Sequence, residues 1–231
     1  MVTVAAPSRS LTVGGIGDGG LEYGVTKAGP GKLVLSGTNT YSGATTIQDG
    51  TLALVTSASN SIASSSGVVV GDTSAAGGTV FDVSTVTYAG GFRLLGTQSL
   101  SGFGSVTGSV TVLDGGAISP GVGSSETGAL TVNGDLTLRD GVEIACDLIG
   151  GTLDHIEVRG KLTLPDQATV TVNYSGIRPS SPRVLFSADE IDQETGDMRL
   201  SGWQVLPTGS VGVVGNTVVL IGNMGTCIMV R

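Results

Sequence analysis

The stretch from Lys27 to Leu54 constrains the fold more than any other part of the sequence. It contains three short runs typical of β-strands, Lys32–Leu35, Ala44–Ile47 and Thr51–Leu54, separated by corners rich in glycine or asparagine. Runs of four residues cannot fold alone, and corners this short leave no room for crossover helices. Their apolar side chains are buried if the chain coils and each coil stacks on the next. This arrangement is a β-solenoid.

A Gly-x-Leu-x-Leu triplet, in which Val can replace Leu, recurs along the chain. It begins at Gly31, Gly50, Gly108, Gly128, Gly134 and Gly160. Several gaps between these glycines, of 19, 20 and 26 residues, suit one coil of three short strands. Alternate Leu or Val residues should face inward and the residues between them outward. We therefore predict an all-β fold, a right-handed parallel β-helix (β-solenoid) with short three-strand coils and a C-terminal cap.

Residues 27–54 resemble the passenger-associated repeat of bacterial autotransporters, also called the autotransporter-associated β-strand repeat. The positions that carry the resemblance are Lys27, Gly29, Gly31, Leu33, Leu35, Ser36, Gly37, Asn39, Thr40, Tyr41, Gly43, Thr45, Ile47, Gly50, Thr51, Leu52 and Leu54. A second segment, 102–138, is similar to a segment of many passenger domains through its Gly-Gly-x-Ile-x-Pro-Gly corner and its Asn-Gly-Asp-Leu-x-Leu strand. The resemblance implies an exported bacterial protein of the cell surface or a secreted one. It also implies an outer-membrane translocator if the full-length chain is longer.

The composition of the sequence changes after Gly176. Three of the seven prolines fall there, together with the only tryptophan, Trp203, the acidic run 188–197 and an apolar terminal run at 226–230. An open solenoid end exposes a layer of unpaired strand edges, which a cap covers. We predict β-helix repeats over 1–175 and a capping segment over 176–231, with the acidic run as a solvated loop.

A glycine cluster near the start matches a nucleotide-binding pattern only superficially. Gly15, Gly17 and Gly20 spell G-x-G-x-x-G, but the dinucleotide fingerprint requires a helix after the glycines. Here a β-type run, Leu21–Val25, follows. The cluster is therefore interpreted as a sharp turn.

Charge and hydropathy exclude two classes of partner. The formal net charge is −8 and no basic cluster is present, so nucleic-acid binding is not expected. No apolar run approaches the roughly 18 residues that span a membrane, so membrane insertion of this segment is not expected either. The first ten residues lack the basic and apolar regions of a signal peptide. We therefore expect a removed leader or a fragment of a longer protein.

A group of carboxylates is the main candidate for chemistry. Asp140, Glu143, Asp147, Asp154 and Glu157 are predicted to face outward. On stacked strands two of them could come close enough for glycoside hydrolysis, or could bind calcium. Sugar-binding aromatic residues are scarce, which favours a solvated face. The resemblance instead implies a corner hydrogen bond for Asp154.

The remaining reactive residues point to no site. His155 is the only histidine, which excludes a multi-histidine metal site and favours a surface histidine beside a turn. Cys146 shares the inward face of its strand with Ile144 and Leu148 and is interpreted as a small buried apolar residue. Whether it pairs with Cys227 is left open. No catalytic, cofactor-binding or metal-binding residue is predicted, and no cofactor is expected.

Outward Ser and Thr residues dominate between the glycines. They favour a non-enzymatic structural or adhesive segment that meets glycans, a host surface or another copy of itself. The alternative is a carbohydrate-active β-helix enzyme, a polysaccharide lyase or glycosidase, that uses the carboxylates of 140–157. A third interpretation is an inert stalk for a catalytic domain outside this chain.

Overall fold

A computed structural model describes residues 1–56, 58, 60–72, 78–123, 126–175, 181–193 and 200–221. Within them, every regular element is a β-strand. The strands of the first half are β1 (Val2–Thr3), β2 (Ser10–Val13), β3 (Val25–Ala28), β4 (Lys32–Leu35), β5 (Thr45–Ile47), β6 (Thr51–Leu54), β7 (Gly67–Val70), β8 (Val80–Asp82), β9 (Phe92–Leu94), β10 (Ser99–Gly102), β11 (Ser105–Thr107) and β12 (Val110–Val112). Those of the second half are β13 (Ala117–Pro120), β14 (Ala129–Asn133), β15 (Leu136–Leu138), β16 (Val142–Ile149), β17 (Thr152–Leu153), β18 (His155–Leu164), β19 (Ala168–Ser175), β20 (Arg183–Gln193), β21 (Trp203–Leu206), β22 (Ser210–Val214) and β23 (Thr217–Ile221).

The strands stack in three parallel columns, which we call faces A, B and C. Face A runs β1-β3-β5-β7-β10-β13-β16-β19-β21. Face B runs β2-β4-β6-β8-β11-β14 and continues into the first half of β18. Face C runs β9-β12-β15 and continues into the second half of β18. The predicted parallel β-helix is confirmed.

The number of strands per coil changes along the molecule. The coils that begin at β7, β10 and β13 each have a strand on all three faces. The earlier coils have strands on faces A and B alone, and their third side is an irregular segment. Coil length does not set this difference, since the three-strand coil from Ser99 to its partner Ala117 is shorter than the two-strand coil from Thr45 to its partner Val68.

The core follows the predicted alternation. Leu33 and Leu35 pair directly with Leu52 and Leu54 on face B, and all four are fully buried. The inward positions of the other triplets are buried as well: Val110, Val112, Leu130, Val132, Leu136, Leu138, Leu162 and Leu164. Each coil therefore contributes the same aliphatic layer to one continuous interior.

The segment after Gly20 does not form the predicted strand. Leu21 and Tyr23 are exposed, and β3 begins only at Val25. The backbone of Gly19, Gly20 and Glu22 takes positive φ angles, which turn the chain and prevent an extended run. The glycine cluster thus ends in a turn, as its sequence indicates.

Parallel stacking continues past Ser175. β20 pairs with β18 along both halves and β21 pairs with β19, while β22 and β23 form an antiparallel pair beside the first half of β20. The acidic run was predicted as a loop, but 188–193 belongs to β20, because it pairs with β18, with one register shift between Ala188 and Glu190. Its remaining residues and the apolar run 226–230 lie outside the described residues. The capping role of 176–231 stays a prediction.

Candidate functional site

Four polar side chains of the 25–54 stretch are buried in the interior of the β-helix. Lys27 and Thr45 are fully enclosed, and Asn39 and Tyr41 are nearly so. Such groups are tolerated in a core only when hydrogen bonds replace the lost water. Sequence reasoning placed them in a motif but did not predict their burial.

The Lys27 ammonium group bonds three backbone carbonyls. Its Nζ donates to the oxygens of Ala28, Gly29 and Asp49 at 3.2, 2.6 and 2.9 Å. Asp49 lies in the next coil, so this side chain ties two coils together at one corner. Burial lowers the pKa of Lys27 from its usual value, and the Asp49 carboxylate partly opposes this shift.

Asn39 joins neighbouring coils on the third side of the early β-helix, and Tyr41 bonds within its own coil. The Asn39 carboxamide accepts from Ile16 N in the coil before and donates to Ser61 O in the coil after. The Tyr41 hydroxyl bonds Thr45 Oγ1 at 2.7 Å, and burial raises the pKa of Tyr41 to about 12. The polar side chains of this repeat therefore form hydrogen bonds both between coils and within one coil.

The predicted outward group of carboxylates is split by the fold. Asp147 and Asp154 are buried rather than outward, because both satisfy neighbouring polar groups. Asp154 accepts from Gly128 N at 2.5 Å and from Asp147 N at 2.8 Å, while Asp147 Oδ1 accepts from Asn173 Nδ2. The bond to Gly128 crosses to the previous coil and is the corner bond expected for Asp154.

The surroundings of Asp154 shift two pKa values. Burial raises the pKa of Asp154 to about 6, aided by the Asp147 carboxylate and opposed by the two backbone hydrogen bonds. Burial, with the nearby charges of Asp154 and Asp147, also raises the pKa of the Cys146 thiol to about 12. Cys146 is buried as expected, and its thiol donates weakly to Thr171 O. Cys227 lies outside the described residues.

The other three carboxylates lie at separate places. Asp140 is at the corner before β16, where its Oδ1 accepts from Gln167 N. Glu143 is exposed on face A. Glu157 is on face B, where it pairs with Arg159 at 3.2 Å. The fold thus brings together Asp147 and Asp154 alone of the five; the Asp154 carboxylate accepts from two backbone N–H groups and that of Asp147 from the Asn173 side chain.

His155 is half-buried at the first residue of β18. Its Nε2 lies 2.9 Å from Ser187 Oγ on β20, a partner that sequence reasoning did not foresee. Both side chains lie on the outer surface of face B. Among the described residues, no group of three or more His, Cys, Asp and Glu could hold a metal ion.

Outward hydroxyl groups are aligned by the strand register. Thr111, Thr137 and Thr163 occupy the same position in three successive strands of face C, but Thr111 is buried and its Oγ1 donates to Gly90 O. Neighbouring strands are about 4.8 Å apart, so the partly exposed hydroxyls of Thr137 and Thr163 are aligned with about that spacing. Similar pairs are Thr26 with Thr46, Ser101 with Ser119, and Ser105 with Thr131.

A cavity of about 420 Å³ opens at the corner between faces B and C. In later coils this corner is short: Gly108 and Ser109 join β11 to β12, and Gly134 and Asp135 join β14 to β15. In the coil before them, the nine residues 83–91 join β8 to β9. This longer loop overhangs the corner and leaves the cavity beneath it. No local sequence pattern predicts this cavity.

The stacked parallel coils define this protein as a parallel β-helix. Residues 25–54 match the family model described as Passenger-associated-transport-repeat, and the chain therefore carries an autotransporter passenger repeat. The match covers the first of the two segments that resemble passenger domains. This repeat family implies export to the cell surface or secretion by way of a translocator domain.

No curated protein matches the chain. Within the part of the chain that the structure describes, no helix is long and apolar enough to cross a membrane.

Proposed function

We propose that this chain is a non-enzymatic scaffold of an exported passenger that presents hydroxyl-rich faces for adhesion. The observation that supports this most is the alignment of partly exposed hydroxyl residues in neighbouring coils, Thr137 with Thr163 on face C and Ser101 with Ser119 on face A. Hydroxyl groups repeated at about 4.8 Å can make many weak contacts with a glycan chain, a host surface or a second copy, and such contacts add up through multivalency.

The test displays the chain on beads and measures their attachment to host cells, to immobilised glycans and to one another. Thr137→Val and Thr163→Val together remove two hydroxyls from face C while they keep β-branched side chains. We expect weaker attachment for this variant. A matched pair on face A, Ser101→Val and Ser119→Val, shows whether one face dominates. An intact chain that attaches to none of the three surfaces would refute the adhesive role.

The carbohydrate-active alternative is tested with the carboxylates that have no buried structural bond. Asp140→Asn, Glu143→Gln and Glu157→Gln together should leave the fold intact. We expect neither the intact chain nor this triple variant to show hydrolytic or lyase activity. Asp147 and Asp154 are left unchanged because their loss would disturb the fold. Release of sugar from pectin-like polysaccharides by the intact chain, abolished in this triple variant, would establish the enzyme instead.

A further inference from the structure

We propose that the cavity at the corner of faces B and C binds a neutral sugar. This proposal rests on the adhesive function above and assigns part of it to one site. The cavity volume of about 420 Å³ falls within the range of roughly 300–1,000 Å³ that small-molecule sites occupy. It lies on the side of the helix, away from both ends of the solenoid.

The lining combines hydroxyl groups with an apolar floor. Ser84, Ser109 and Thr137 supply the hydroxyls, and the buried side chains of Val86 and Val110 lie among them. A sugar ring has the same mixture, since hydroxyl groups surround a face of C–H bonds. A lining of this kind can bond the ring edge while it shields the C–H face from water.

Asp135 supplies the directional contact. Its Oδ1 accepts from Lys161 N at 2.9 Å, and its backbone N–H donates to Ser109 Oγ at 3.3 Å, so two bonds hold the residue in place. The side chain is exposed, which leaves Oδ2 accessible to a ligand hydroxyl. Hydrogen bonds to a charged acceptor are stronger than those between neutral groups.

Charge decides the class of sugar. Asp135 is the one charged residue among the described residues that line the cavity. A uronate or a phosphorylated sugar would bring a second negative charge beside this carboxylate and would be repelled. A neutral hexose or a short neutral oligosaccharide is therefore the ligand class that fits.

Two glycines at the rim of the cavity allow the loop to approach the corner closely. Gly108 has a φ of +111°, and a Cβ there would lie 2.8 Å from Ser84 N, so the overhanging loop could not pack against a larger residue. Gly91 also has a positive φ, at +72°, and a side chain there would collide with Ser109 O. The loop thus sits against the corner without filling it.

The experiment titrates ¹⁵N-labelled chain with glucose, galactose, N-acetylglucosamine and cellobiose, and with galacturonate as the anionic sugar. We expect at least one neutral sugar to shift the amide signals of Ser84, Ser109 and Asp135, and galacturonate to bind more weakly. Thr137→Tyr should abolish the shifts because a tyrosine side chain fills the cavity. The control Thr171→Tyr places the same side chain on exposed face A and should leave binding unchanged.

Asp135→Asn provides a second variant that preserves the bond to Lys161 N through its remaining oxygen. We expect roughly tenfold weaker binding, equivalent to the loss of one charge-assisted hydrogen bond. The proposal is overturned if no neutral sugar shifts these signals, if galacturonate binds as well as the neutral sugars, or if neither variant weakens binding. In each of these cases, attachment of the displayed chain to cells or to itself would still support the adhesive function.

Discussion

Single polar side chains connect the coils of this helix at their corners. Lys27 bonds three carbonyls over two coils, and Asp154 bonds the backbone of the coil before its own. Both are buried, so water cannot replace a lost bond. The stability of the fold therefore depends on these residues more than on the ion pairs at its surface.

Removal of the Lys27 ammonium group should destabilise the protein. In Lys27→Met three backbone carbonyl oxygens lose their bond to the buried ammonium group, which we expect to lower the free energy of unfolding by about 1–3 kcal/mol. Lys32→Met is the matched control, because Lys32 forms a partly exposed ion pair with Asp82, and surface pairs of this kind are worth about 0–1 kcal/mol. Urea denaturation measures both values. Equal losses, or a stabilised Lys27→Met, would mean that desolvation of the ammonium outweighs its three bonds.

The raised pKa of Asp154 predicts a specific pH dependence. Its pKa is about 6 in the folded chain and about 4 in the unfolded chain. A carboxyl group whose pKa is higher in the folded chain than in the unfolded chain stabilises the folded state when it is protonated. This contribution is fully present below the unfolded pKa and is lost as the pH rises through the folded pKa. The difference corresponds to roughly 2 kcal/mol between pH 4 and pH 7.

Thermal denaturation between pH 4 and pH 7 tests this expectation. The part of the pH dependence that belongs to Asp154 should disappear in Asp154→Asn, which cannot ionise. Asp18 does not interfere, because hydrogen bonds from Ser42 and Gly20 lower its pKa to about 2 and its contribution changes only at more acid pH. An unchanged profile in Asp154→Asn would assign the dependence to other groups.

At the scale of the strand, each short element is held by its neighbours in the adjacent coils. β15 has three residues, and it pairs with β12 on one side and with β18 on the other. Leu136 is fully buried between Val110 and Leu162 in this column. The outward Thr137 is partly exposed.

Leu136→Ala should lower the free energy of unfolding by about 2–5 kcal/mol, because it leaves a cavity between two coils. Thr137→Ala should cost little, since its side chain faces out of the core. Chemical denaturation of both variants compares the two sides of one strand. Similar losses at both positions would contradict the alternation along β15.

At the scale of the whole molecule, the C-terminal end of the parallel stack differs from the regular coils. β20 and β21 continue the stack beyond Ser175, and the antiparallel pair of β22 and β23 then covers the first half of β20. This change of strand direction ends the regular pairing pattern on face B. It is consistent with the capping role predicted for 176–231.

A chain that ends at Ser175 should therefore associate end to end. Its β18 and β19 would present unpaired backbone groups, which are templates for pairing with another chain. We expect larger particles by light scattering at concentrations where the intact chain stays dispersed. A chain that ends at Ile221 keeps β20 to β23 and serves as the control. Smaller particles after truncation at Ser175 would show that 176–231 mediates assembly rather than prevents it.

The sequence by itself determined the fold class and the alternation of the core. The Gly-x-Leu-x-Leu triplets predict both because each strand and corner is specified within a few residues, and every coil repeats the same local solution. The strands from Lys32 to Leu54 and the burial of Leu136 follow from this pattern alone. The carboxylates of 140–157 show the limit of this pattern. Alternation predicts that Asp147 and Asp154 face outward, whereas both are buried.

Only the tertiary structure decided which polar groups are buried and where a cavity opens. Asp154 is buried because Gly128, 26 residues away, supplies an amide that needs an acceptor, and Lys27 is buried because Asp49 brings a third carbonyl from the next coil. The cavity exists because the loop 83–91 is longer than the corner 108–109 below it. Each outcome depends on the lengths of successive coils, which set the residues that come into contact. A local pattern carries no information about that match.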